Sequence, residues 1–119
     1  MPTTPYLTEL EAPLRSEVDA WPGLTLLAFG TGWCGHCRAS QPLMREVLAL
    51  YPAWRHLKIE DGSGRALGRS FGVRLWPTWV LLQEGQVVGQ WVRPGPVMLD
   101  AFIGSGTAGA AAARSGRKF

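Results

Sequence analysis

Apolar and polar positions along this chain alternate between two rhythms. Leu24–Gly30 (LTLLAFG) is a short, nearly continuous apolar run, which suits a strand covered on both faces. It breaks at Gly30-Thr31-Gly32. From Cys34 onward, Cys37, Leu43, Met44, Val47, Leu48 and Tyr51 recur near helical spacing and stop before Pro52, which predicts a helix. Residues 56–60 read as a second strand, and residues 65–71 as one short helix within a polar, glycine-rich stretch. Thr78–Gln83 and Gln86–Val92 flank Glu84-Gly85, a hairpin signal. Pro96 can occupy the first turn of a last helix over residues 97–103, stopped by Gly104. Ahead of Leu24, residues 6–10 predict an edge strand and residues 13–20 a first helix. The order is β-α-β-α-β-α-β-β-α. The predicted fold class is α/β, a central mixed sheet with helices on both faces to cover its apolar strands.

Composition narrows this picture. A chain of 119 residues allows one domain. Residues 104–119 (GSGTAGAAAARSGRKF) take nine of their sixteen positions from Gly and Ala and offer only Phe119 as a large apolar side chain. Such a segment cannot bury enough surface to offset its ordering entropy, so the domain is expected over residues 1–103 with a flexible basic tail over 104–119. Hydrophobic residues at 46% and charged residues at 18% exclude wholesale disorder. Residues 1–103 hold nine Lys/Arg and nine Asp/Glu, so the net charge of +3 belongs to Arg114, Arg117 and Lys118. With no basic stripe in the folded part, no nucleic-acid partner is expected, and three tail cations are too few to anchor the domain to a membrane. No apolar run approaches the ~20 residues of a bilayer span. No leader is visible at the N-terminus, which predicts a cytoplasmic location.

The chemistry concentrates in Trp33-Cys34-Gly35-His36-Cys37, which holds both cysteines. Two cysteines separated by two residues can close a disulfide when they occupy the first turn of a helix. Backbone N–H groups there favour thiolate over thiol, and only the thiolate attacks a disulfide. Cys34, ahead of the helix, is therefore the expected exposed nucleophile, and Cys37, one turn in, the more buried resolving thiol. A protonated His36, or its ring N–H, would stabilise the Cys34 thiolate further and make the couple more oxidising. The plainer readings are weaker. Structural zinc needs four ligands and only His36 and His56 remain, so no metal is expected. A functionless buried pair rarely starts a helix after a glycine-rich turn.

With these residues in place, the chain resembles the thioredoxin superfamily from about Tyr6 to Ile103. The resemblance rests on the strand leading into WCGHC, the strand over residues 56–60, Trp76-Pro77-Thr78, and the closing hairpin and helix. It implies a thioredoxin-like fold and a Trp76–Pro77 peptide bond that is cis. It also implies a Trp76 backbone that pairs with a bound substrate as an added strand. Pro77 read by itself only opens a strand, where a missing N–H is tolerable. Pro42 matches the proline that kinks the family's active-site helix.

The sequence departs from the family at several points. Ala28 stands where the family has a buried aspartate, and His56 where it has that acid's lysine partner. Solvent, Glu60 and His56 are then the candidates for proton transfer, although His56 read alone is an ordinary strand residue. Arg93 replaces the family's glycine after the last strand, with Gly95 two residues on. It either adds positive charge near Cys34 or points to water. Cys-Gly-His-Cys is the sequence associated with disulfide isomerases.

Of the six tryptophans, Trp21, Trp54, Trp79 and Trp91 read as packing, whereas Trp33 and Trp76 flank the site as an apolar platform for substrate. The functional expectation is a monomeric thiol–disulfide oxidoreductase, with Cys34 and Cys37 catalytic, Gly35, His36 and Arg93 tuning them, and Trp33, Trp76 and Pro77 binding substrate. Its partners are protein disulfides and a disulfide reductase or other thiol donor, and no cofactor is expected. The competing expectations are a disulfide oxidase or isomerase and a thioredoxin-like binding module.

Overall fold

Four strands form the sheet of the computed structural model, which describes residues 6–94. In chain order the elements are α1 (Arg15–Asp19), β1 (Leu24–Gly30), α2 (Gly35–Ala39), α3 (Gln41–Leu50), β2 (Arg55–Glu60), α4 (Ala66–Ser70), β3 (Thr78–Gln83) and β4 (Gln86–Val92). The strands lie in the order β2-β1-β3-β4. β1 runs parallel to β2 and antiparallel to β3, and β3 pairs antiparallel with β4, so the sheet is mixed as expected. The expected helix over residues 97–103, the end of the domain and the tail over 104–119 lie outside the described residues.

Every residue of β1 is buried, because both faces of the strand are covered. On one face Leu24, Leu26 and Ala28 pack with Leu43, Met44 and Val47 of α3 and with Trp54, Trp79 and Leu81. On the other, Leu27 and Phe29 pack with Val18 of α1, Leu67 of α4, Phe71, Ile59, Val80 and Leu82. Each fully buried large side chain among these contributes ~1.5–3 kcal/mol of hydrophobic stabilisation. Among the described residues, no helix is long and apolar enough to cross a membrane.

The hairpin turn forms at Glu84 (φ 51°) and Gly85 (φ 78°), the paired left-handed residues of a two-residue turn that matches strand twist. Two expectations need correction. The edge strand over residues 6–10 shrinks to a single parallel bridge between Leu7 and Ile59. The Thr8 N–H goes to Glu11 Oε1 (3.0 Å) and the Thr8 carbonyl accepts from Ala12 (2.8 Å), so the chain turns away from the sheet at once. The long helix from Cys34 is divided at Ser40 into α2 and α3. Pro42 has no N–H for the Arg38 carbonyl. The preceding carbonyl, that of Cys37, is satisfied by Ser40 Oγ (2.7 Å) and Gln41 Nε2 (3.1 Å).

Candidate active site

β1 ends at Gly30, and the chain turns through Thr31-Gly32-Trp33 to deliver Cys34 as the residue capping α2. Cys34 keeps an extended backbone (φ −75°, ψ 123°), which swings its sulfur back over the first turn to accept the Cys37 N–H at 3.3 Å. Both thiols are free, and Cys34, expected to be exposed, is nearly buried at 9% exposure because its sulfur folds back over the first turn of α2, while Cys37 is at 0%. Gly30 leaves the space for this arrangement, since a Cβ there would run into Cys37 Sγ and lie 3.2 Å from the Tyr6 hydroxyl.

The two sulfurs titrate in opposite directions. Burial opposes ionisation of Cys34, but donation from the Cys37 thiol, from the N–H groups of Cys37 and His36, and the charge of Arg93 together hold its pKa below the ordinary thiol value. Cys37 is pushed up to about 11, by burial first and then by its hydrogen bond to Cys34 and the charge on that sulfur. Hydrogen bonds from the Thr31 backbone and Tyr6 oppose that rise. The outer sulfur is therefore the easier to ionise, the order that attack followed by resolution requires.

The remaining expected site residues gather around this pair. Gly35 and His36 are exposed in the first turn of α2, and His36 reaches the Cys34 sulfur through its backbone N–H. Trp33 is 75% exposed and meets the Trp76 ring edge-on, with centroids 5.7 Å apart at 80°. The Trp76–Pro77 peptide bond is cis. Arg93 donates its N–H to the Pro77 carbonyl (2.8 Å) and its Nε to the Trp76 carbonyl (3.1 Å). Its backbone lies in the left-handed region (φ 49°), which accounts for the glycine that the resemblance places there.

Sequence reasoning missed Asp61. Its N–H donates to the Gly30 carbonyl (2.9 Å), and its Oδ2 accepts the Trp76 indole N–H (2.8 Å), tying the end of β1 to the Trp76 side chain. The strand register corrects one expectation: Lys58, not His56, pairs with Ala28, and His56 pairs with Leu26. The two protein groups proposed for proton transfer differ in their surroundings. Glu60 is paired with Arg65 at 2.6 Å, and His56 has its pKa pushed down to about 4 by burial and by Lys58. Among the described residues, no cluster of three or more His, Cys, Asp or Glu could hold a metal ion.

A mixed sheet that delivers two unlike thiols to one helical turn, beside a cis-proline loop, defines a thioredoxin-like redox protein. The thioredoxin family model matches residues 7–103. Mitochondrial thioredoxin-3 of Saccharomyces cerevisiae is 28% identical over 78 residues, covering 66% of this chain and 61% of that protein. Thioredoxin-2 of Pyricularia oryzae is 31% identical over 78 residues, covering 66% of this chain and 46% of that protein. The matched segments thus span about half to three fifths of those two relatives. The structure of reduced thioredoxin 2 from Pseudomonas aeruginosa PAO1 superposes with a TM-score of 0.75 at 48% identity, covering 92% of this chain and 99% of that one. This chain belongs to the thioredoxin family.

Proposed function

We propose that this protein is a thiol–disulfide oxidoreductase that reduces disulfides in protein substrates. One observation carries the reading: Cys34 Sγ is capped by the Cys37 N–H at 3.3 Å and stands beside a second thiol that is wholly buried. The Cys34 thiolate attacks one sulfur of a substrate disulfide RS–SR′. That S–S bond breaks, and R′S⁻ leaves with the bonding pair. Cys37 then gives up its proton, its thiolate attacks Cys34 Sγ, and RS⁻ leaves. One leaving thiolate takes the Cys37 proton and the other takes one from solvent. Two electrons reach the substrate and a Cys34–Cys37 disulfide forms, to be reopened by a disulfide reductase or other thiol donor.

The surface around the sulfurs suits an extended or unfolded protein chain, because Trp33 (75% exposed), Leu75 (49%) and Val92 (52%) present apolar area beside Trp76. A substrate strand that pairs with the Trp76 carbonyl takes the place of the Arg93 Nε–H that now donates to it. The protein works as a monomer, and in surroundings that keep thiols reduced its net direction is reduction.

Insulin reduction tests the reading. Cys34→Ser abolishes it, and Cys37→Ser accumulates a mixed disulfide with the substrate. A double serine variant that keeps full biological effect would replace this reading with a binding module. Equilibration against glutathione fixes the direction: a potential near about −270 mV supports a reductase, and one near about −180 mV an oxidase or isomerase, the reading that Cys-Gly-His-Cys favours.

A further inference from the structure

Arg93 occupies the peptide group that a substrate strand would pair with. It follows β4 one step beyond the Thr78–Val92 pair, and its own N–H holds it there on the Pro77 carbonyl (2.8 Å). From that backbone the side chain reaches on, so that Nε donates to the Trp76 carbonyl (3.1 Å). The residue is exposed, and its charge is felt at Cys34. A chain that pairs with Trp76 while its disulfide meets Cys34 must therefore displace a guanidinium.

No acidic side chain stands ready to receive it. Arg74, two residues ahead of Trp76, and His36, between the cysteines, are exposed and basic like Arg93 itself. The ion pairs among the described residues are Arg15–Asp19, Arg65–Glu9 and Arg65–Glu60, and none includes Arg93 or Arg74. The carboxylate that does reach this loop, Asp61, is 9% exposed and is taken by the Trp76 indole N–H (2.8 Å). Glu84 and Asp19 lie at the other end of β3, where Glu84 starts the hairpin turn and the Asp19 carbonyl packs against Gly85. The terminal nitrogens of Arg93 carry four donors in a fork that matches a carboxylate.

We propose that Arg93 is a specificity-determining residue that favours acidic substrate segments, those with an Asp or Glu beside the disulfide cysteine. The inference rests on the oxidoreductase reading and narrows its substrates by charge. In the free protein the Nε–H covers the Trp76 carbonyl. A substrate strand brings a main-chain N–H to that carbonyl, so the guanidinium leaves it and loses a hydrogen bond. A substrate carboxylate returns that bond as a charge-assisted, bidentate pair. A neutral side chain leaves the guanidinium to water, and a lysine meets it with like charge. Trp33, Leu75 and Val92 still take apolar side chains, so the strand that fits mixes apolar and acidic residues. Arg93 exchanges no proton or electron, and the bonds broken and formed at sulfur are those given above.

The test compares three peptides, each closed by one disulfide and identical except that the residues flanking both cysteines are Glu, Gln or Lys. The second-order rate of their reduction by the pre-reduced full chain is followed in acid-quenched single turnovers. At low salt the unsubstituted protein reduces the Glu peptide about fivefold faster than the Gln peptide and the Lys peptide more slowly than either, and added salt narrows these differences. Arg93→Gln brings the three rates together, Arg93→Glu inverts their order, and Arg93→Lys keeps the order with smaller differences because an ammonium lacks the fork. These are ratios within one protein, so a general change in Cys34 reactivity cancels. Arg93→Gly relieves the left-handed φ of 49° and also levels the rates, so it decides the matter if Arg93→Glu does not fold. Equal rates for all three peptides in the unsubstituted protein, or a preference for Glu that survives both Arg93→Gln and Arg93→Gly, would overturn the role of Arg93 while leaving the oxidoreductase intact. Failure of the unsubstituted protein to reduce any of the peptides would overturn the oxidoreductase reading itself.

Discussion

Arg93 shows how one side chain can shape both backbone and chemistry. It holds a left-handed φ of 49° that costs a non-glycine residue ~1 kcal/mol, and its guanidinium both covers the Trp76 carbonyl and favours the Cys34 thiolate. Arg93→Gly is therefore expected to stabilise the fold by up to ~1 kcal/mol in denaturant titration and to move the Cys34 alkylation profile to higher pH. Arg93→Lys keeps the profile near its original position.

His56 makes a second case at this scale. Its Nε2 is buried without a hydrogen-bond partner, and burial pushes its pKa down to about 4 from an ordinary value near 6.5. Between those pH values the unfolded chain binds the proton and the folded one does not. Stability thus rises with pH across the window and is lost as pH falls through it, by up to ~3 kcal/mol. Thermal melts at pH 7 and pH 4.5 should show this loss, and His56→Leu should flatten it.

Cys34, Cys37, Trp33, Trp76 and Pro77 stood out in the sequence because a spacing or a family motif marks each of them, whereas Arg93 was left either beside Cys34 or in water. Tyr6, Gln41 and Lys58 did not, because they lie far apart in sequence and only folding brings them together beside Cys37. Lys58 alternates with apolar Leu57 and Ile59, a pattern that reads as a solvated strand face until α3 is seen to cover it.

Among the elements, the short ones carry the positioning. α4 has only five residues, yet its Gly68 lies so close to the Asp61 carboxylate that a Cβ would collide with it. That contact keeps Asp61 on the Trp76 indole at 2.8 Å. Gly68→Ala is expected to destabilise the protein by ~1–3 kcal/mol, the usual cost of overpacking a closed site. Asp61→Ala frees the indole and should cost ~1–2 kcal/mol. Both variants should slow reduction of a protein disulfide more than that of a small aromatic disulfide, as paired rate measurements would show, because the platform is displaced while the sulfurs remain. β1, β3, β4 and their turn were legible in the apolar runs and in Glu84-Gly85. The N-terminal edge strand was misread because Glu11 captures the Thr8 N–H, a side-chain contact that residue pattern does not encode.

For the whole molecule, strand type and connectivity followed from pattern, but the order β2-β1-β3-β4 depends on pairing between distant segments. The same pairing explains the division of labour between the cysteines. Cys37 lies against the end of β1 and is wholly buried, whereas Cys34 caps α2 just beyond that strand with its sulfur among donated N–H groups. The most direct test of this asymmetry is the pH dependence of iodoacetamide labelling of the fully reduced protein. The account predicts that Cys34 reacts first and, at neutral pH, faster than a cysteine in an unfolded peptide, with a midpoint below about 8.5. Labelling no faster than the peptide, or labelling first at Cys37, would contradict it.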